Sequence, residues 1–216
     1  MKLIHNTKIF IGNKLLQRKL RNIKRNPLVC NINEAKTVGI IYNATNTVSF
    51  EIIKDFTKTL IQKNIEVSAL GYVHSKKLVD HYLYRKGFDF FTKNNLNWYY
   101  CPESESVEEF IKKPFDILIN LCLESYYPIN YILALSASRF KAGKFFAEPN
   151  YMDLLIDIEK EKEAIHDIKQ EISKDKKAVK RKNELEEEID KKVELELQLS
   201  FLINQLMHYL SIIKRN

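Results

Sequence analysis

Glycine is scarce: the 216 residues contain five, and proline contributes only five more. So few chain-breaking residues leave little room for long flexible linkers. With 45% hydrophobic and 29% charged residues the usage is that of a globular chain, which excludes global disorder. Cysteine is scarcer still. Cys30, Cys101 and Cys122 are an odd number in unrelated contexts, giving neither a disulfide framework nor the paired spacing of a zinc site. They are expected to be reduced and structural. No apolar run approaches the roughly 18 residues a membrane span needs. Met1 to Phe10 is interrupted by Lys2, His5, Asn6 and Lys8, unlike a secretory leader. A cytoplasmic protein with one main core is the expectation.

Acid is missing from the first part of the chain. Between Met1 and Pro27 stand Lys2, Lys8, Lys14, Arg18, Lys19, Arg21, Lys24 and Arg25 with no Asp or Glu, which accounts for more than the whole net charge of +7. Ile11, Leu15, Leu16, Leu20 and Ile23 recur at helical steps, so Lys8 to Arg25 reads as an amphipathic helix ended by Pro27.

From Lys36 the pattern changes to β alternating with α. Thr37 to Tyr42 is a short continuous run of β-formers, the pattern of a buried parallel strand, which leads into the polar turn Asn43 to Thr47. A helix capped by Ser49 runs through about Asn64, and a second strand covers Glu66 to Tyr72, completing a β-α-β unit. His74 to His81 reads as a short helix, and Phe88 to Tyr100 has strand propensity. Ser106 to Lys112 is helical, Phe115 to Cys122 is the clearest central strand, and Ile129 to Ser138 is a helix opened by Pro128. Ala142 to Ala147 and Tyr151 to Ile158 are two further strands.

After Glu159 the composition turns to Lys, Glu, Ile and Leu without Gly or Pro. Ile165, Ile168, Ile172 and Val179 form one narrow seam, and Leu185, Ile189 and Val193 a second. With a cationic stretch at Ser173 to Lys182 between them, the pattern is that of a protruding helical hairpin. Leu199, Leu202, Ile203, Leu206, Leu210 and Ile213 make a wider face that returns to cover the sheet. The predicted class is therefore α/β: a small Rossmann-like, mainly parallel sheet with flanking helices, a basic N-terminal helix and a long C-terminal helical hairpin. The segments are 1–27 (basic helix), 28–158 (α/β core), 159–198 (hairpin) and 199–216 (packing helix).

Chemistry-bearing patterns are few. The loop Asn43 to Thr47 sits where open α/β sheets bind ligands, yet without glycine its backbone cannot approach a pyrophosphate, so neither a dinucleotide fingerprint nor a Walker loop is present. Asn43 and Asn46, with Glu124 from the loop after the central strand, remain candidates for a small-ligand pocket. His5, His74, His81, His166 and His208 have no second ligand type at metal spacing, and no serine or cysteine shows a nucleophile motif. No catalytic residue, metal or cofactor is assigned.

The richest local signal is Tyr82 to Lys93 with Asn97-Trp98-Tyr99-Tyr100, where aromatics interleave with Arg and Lys. Rings can stack on bases while cations neutralise phosphate; the alternative is strands whose rings face the core. The candidate nucleic-acid contacts are Lys14, Arg18, Lys19, Arg21, Lys24, Arg25, Arg85, Lys86 and Trp98. The same helix could lie on anionic lipid, and the hairpin could engage a protein partner. RNA or ribonucleoprotein association stands first, scaffold function second, and a small-ligand binder or enzyme third.

The succession Lys36 to Ile40, Phe115 to Asn120, Ala137 to Gly143 and Tyr151 to Asp157 resembles an uncharacterised family of small cytoplasmic Bacteroidota proteins, known only as a domain of unknown function. The likeness covers most of Lys8 to Ile158 and the final helix, including Tyr84 to Phe91 and Asn97-Trp98. The resemblance implies the α/β fold, and it implies that Glu159 to Glu196 is an insertion. It brings no catalytic residues and no assigned activity.

Overall fold

The computed structural model describes residues 2–23, 25–77, 86–147, 150–159 and 184–214, with side chains from Ile4 in the first stretch and from Ile189 in the last. Six strands form one all-parallel sheet: β1 (Thr37–Asn43), β2 (Glu66–Val73), β3 (Phe88–Thr92), β4 (Ile117–Asn120), β5 (Phe140–Lys144) and β6 (Leu154–Ile156). Their order is 3-2-1-4-5-6, the Rossmann arrangement, which reverses direction between β1 and β4. β1 and β4 are buried throughout most of their length because helices cover both faces, and so their sequences are continuous apolar runs rather than alternating ones.

On one face lie α2 (Thr47–Gln62) and α5 (Glu184–Ile212), where Phe50, Ile53 and Leu60 meet Leu199, Leu202 and Leu206 over Ile40 and Ile119. Each fully buried leucine of α5 contributes about 1.5–3 kcal/mol relative to exposure. On the other face α3 (Glu105–Lys112) and α4 (Tyr127–Leu135) supply Val107, Phe110, Ile129 and Ile132, packed on Leu70, Phe91 and Leu118. α1 (Lys2–Leu20) forms an outer layer on α4.

The amino-terminal edge of the sheet is closed by a hydrogen-bonded lattice. Asp116 accepts the backbone N–H of Lys36 at 2.9 Å and of Thr37 at 3.1 Å, and pairs with Arg139 at 3.2 Å. Asn31 donates to the carbonyls of Ser211 at 2.8 Å and Ile213 at 3.0 Å, satisfying backbone groups that the end of α5 leaves open.

Several local expectations differ from the structure. α1 occupies Lys2–Leu20 rather than Lys8 to Arg25, and of its expected apolar stripe only Leu16 is buried. Asn46, not Ser49, caps α2: its side chain accepts from Val48 N at 2.8 Å, while Ser49 is buried inside the first turn. Strand β3 stops at Thr92, because Asn95 and Asn97 bond the backbone locally and fold Lys93 to Tyr100 into turns. His74 to Lys77 are bends, the rest of that expected helix lying outside the described residues. Of the hairpin expected at 159–198, residues 160–183 also lie outside them. α5 runs unbroken across the expected boundary at 198/199, since no Gly or Pro interrupts it.

Candidate functional site

Among the described residues, the α1 surface and the carboxyl edge of the sheet combine exposure with polar or cationic chemistry. α1 is seated by Leu16, which is 2% exposed among Cys101, Tyr131, Ala134 and Leu135. Gly12 permits the close approach. A Cβ there would overlap the Tyr127 hydroxyl and come within 2.9 Å of the Tyr99 carbonyl oxygen. The turn bearing Trp98 is thus held directly against α1. Asn97 builds that turn, accepting from the backbone N–H of Tyr99 at 3.1 Å and Cys101 at 3.0 Å and donating to Glu103 at 2.6 Å, while Tyr100 takes φ 66°. His5 Nδ1 lies 3.2 Å from the Tyr100 hydroxyl, and Lys8 sits 5.5 Å over the Tyr100 ring.

The basic residues divide into two groups. Lys19 donates to the Tyr131 hydroxyl at 2.7 Å, a hydrogen bond that raises its pKa above the ordinary lysine value. Arg25 forks onto the Asp153 carboxylate and donates to the carbonyls of Ser138 at 2.9 Å and Arg139 at 3.0 Å. By contrast Lys14, Arg18 and Arg21 are exposed on the side of α1 and its continuation that faces away from α4. At about 100° per residue they share an arc of about 60°, with Phe10 beside them. Phe10 is 59% exposed, Lys14 lying 5.0 Å over its ring. Trp98 is 58% exposed and touches Tyr99 edge-on at 5.2 Å. Among the described residues of that segment, Phe91 is buried and stacked on Tyr72 at 4.8 Å, and Phe90 packs towards Phe50 at 6.0 Å. Lys86 is exposed at the start of β3, at the opposite end of that strand from the Trp98 turn. Lys24 and Arg85 lie outside the described residues.

At the reversal between β1 and β4, Asn43, Asn46 and Glu124 line a cavity of about 80 Å³, with Ser49 beside them and Leu195 and Leu199 of α5 on the far wall. Asn43 Nδ2 donates to the Tyr126 hydroxyl at 2.7 Å, which donates to Glu124 at 2.7 Å. Burial and this carboxylate both push the Tyr126 pKa upward. Next to it the Tyr72 hydroxyl lies 3.2 Å from His74 Nδ1, and His74 N donates to Thr45 Oγ1 at 2.8 Å. Burial raises Tyr72 to about 12. Burial, reinforced by Lys93 and opposed by Glu124, lowers His74. The cluster offers amide, phenol, neutral imidazole and carboxylate groups, but no glycine and no cation among the cavity residues. It suits a small polar molecule better than a phosphate. The approach of His74 to Tyr126, at 5.6 Å between ring centroids, has no local mark in the sequence, because it depends on β2, β1 and β4 lying side by side. That strand order is the signal that would have revealed it.

Among the described residues no group of three or more His, Cys, Asp or Glu could hold a metal ion, and no helix is long and apolar enough to cross a membrane. Exposed Ile189, Val193 and Leu197 recur every fourth residue on α5, in the second arm of the expected hairpin.

The chain matches a family of unknown function (DUF6913) over residues 8–175 and belongs to that family. The match takes in α1 from Lys8 and all six strands, continues past Glu159, where the expected insertion begins, and stops before α5. No curated protein and no solved structure matches the chain.

Proposed function

We propose that this family member is an RNA-binding protein of the cytoplasm, which holds the phosphate backbone on the outward row of α1 and its continuation. The observation that carries the reading is the placement of Lys14, Arg18 and Arg21 together in solvent, on one face of a helix and its continuation without a single acid. A row of exposed cations suits a polyanion, and the exposed rings of Phe10 and Trp98 suit one that also carries bases. Lipid suits it less well. At about 100° per residue the cations fall between exposed Ile4 and Phe10 around the helix, so no continuous apolar stripe is available to enter a bilayer.

The test is an anisotropy titration of a labelled RNA hairpin with a single-stranded tail, against the intact protein and a Lys14→Glu/Arg18→Glu/Arg21→Glu variant. The reading expects affinity that falls steeply with salt and at least a tenfold loss in the variant. Unchanged affinity in the variant, or sedimentation with anionic vesicles but no RNA binding, contradicts it.

A second reading, a small-ligand binder at the carboxyl edge, is favoured by one observation: Asn43, Asn46 and Glu124 share a cavity. It expects a neutral or cationic metabolite to shift amide resonances at Asn46 and Glu124. It also expects Glu124→Gln to remove that shift. A metabolite panel that moves neither resonance contradicts it.

A further inference from the structure

Building on the RNA reading, we infer that the surface selects single strands over duplex, with Trp98 as the platform for an unstacked base. The deciding feature is which rings are open. Tyr100 is covered by Lys8 at 5.5 Å and by His5 at 5.1 Å between ring centroids. Tyr99 is half-buried against the Leu16 cluster, and Phe91 is fully buried. Trp98 is left 58% exposed on a turn that Asn97 fixes from both sides.

A duplex gives such a ring nothing to stack on, because its bases are already paired and stacked. Double-stranded RNA is read through phosphates and 2′-hydroxyls across a shallow groove, its major groove being too narrow for side chains. An open indole therefore adds affinity only when a base is free, whereas Lys14, Arg18 and Arg21 attract either form. The turn is also prebuilt. The hydrogen bonds of Asn97 and the packing of Tyr99 hold the backbone around Trp98, so little ordering accompanies stacking.

The sequence contains one tryptophan, so its emission reports this residue alone. The experiment titrates the full-length protein with a mixed-sequence 12-nucleotide RNA, single-stranded or annealed to its complement, with anisotropy and tryptophan emission recorded together. The expected result is at least tenfold tighter binding of the single strand with quenched emission. Trp98→Ala should weaken single-strand binding roughly five- to hundredfold and duplex binding little, while Trp98→Phe keeps most of the single-strand affinity. Circular dichroism checks that both variants fold. Equal affinity for the two RNAs without quenching overturns the strand assignment and leaves the RNA reading standing. Binding of neither RNA overturns both.

Discussion

Arg18 and Arg25 belong to the same basic run, yet the fold uses them in opposite ways. Arg25 lies beyond the end of α1 with its guanidinium on Asp153 and two backbone carbonyls, its side chain only 19% exposed. Arg18 stands in solvent with Lys14 and Arg21. The same division continues further along the chain. Lys141 and Lys144 are buried cations whose ammonium groups satisfy the carbonyls of Leu133 at 2.5 Å and Leu123 at 3.0 Å, whereas Lys86 is exposed. A count of positive charge therefore merges two populations, one that closes the fold and one that faces outward. Only the second can recruit a polyanion without unfolding anything.

The sharpest way to break this comparison is to remove one member of each population. Arg25→Ala leaves the Asp153 carboxylate and two carbonyls without their donor, so a loss of about 2–4 kcal/mol in unfolding free energy is expected. Lys14→Ala/Arg18→Ala/Arg21→Ala should stay within about 0.5 kcal/mol of the parent. Urea denaturation of both variants decides it. Equal losses would mean that the outward row is also structural.

A second, smaller effect comes from Lys141. Burial, with Arg25 nearby and Asp153 opposing, lowers its pKa to about 7. The unfolded chain regains the ordinary value of 10.5 and so binds more protons between these limits. Stability should rise with pH there and flatten below about 7. Between pH 7 and 9 the gain is about 2 kcal/mol, and Lys141→Met should abolish that slope. A variant with the parent's slope would place the titration elsewhere. The ammonium serves the C-terminal end of α4, where Leu133 presents a carbonyl and a cation also suits the helix dipole.

These distinctions were legible in the sequence only in part. The all-parallel α/β sheet was, because β1 and β4 are apolar on both faces and so write themselves as unbroken runs such as Val38 to Tyr42 and Ile117 to Ile119. The apolar face of α5 from Leu199 to Leu210 was legible from its helical spacing. Cap and turn chemistry was less so: Asn46 and Ser49 are both good caps, and only the backbone decides between them. Of the candidate RNA contacts, Lys14, Arg18 and Arg21 share one exposed face of α1 and its continuation, the Trp98 turn packs on that helix at Gly12, Lys86 stands at the far end of β3, and Lys19 and Arg25 are engaged with the fold. Nothing local marks Arg25 as a clamp. Asp153 lies 128 residues away, and its carboxylate is fixed by the backbone N–H of Lys141, a partner visible only once β5 is in place.

If the outward row, and not the whole basic run, meets the phosphates, the salt dependence of single-stranded RNA affinity must differ between the parent and Lys14→Ala/Arg18→Ala/Arg21→Ala. Each neutralised phosphate of a single strand contributes about 0.7 to the log–log slope. The predicted slope is shallower by about 2 in the triple variant, three contacts being lost. Parallel slopes, with or without a change in affinity, would contradict this assignment of the phosphate contacts.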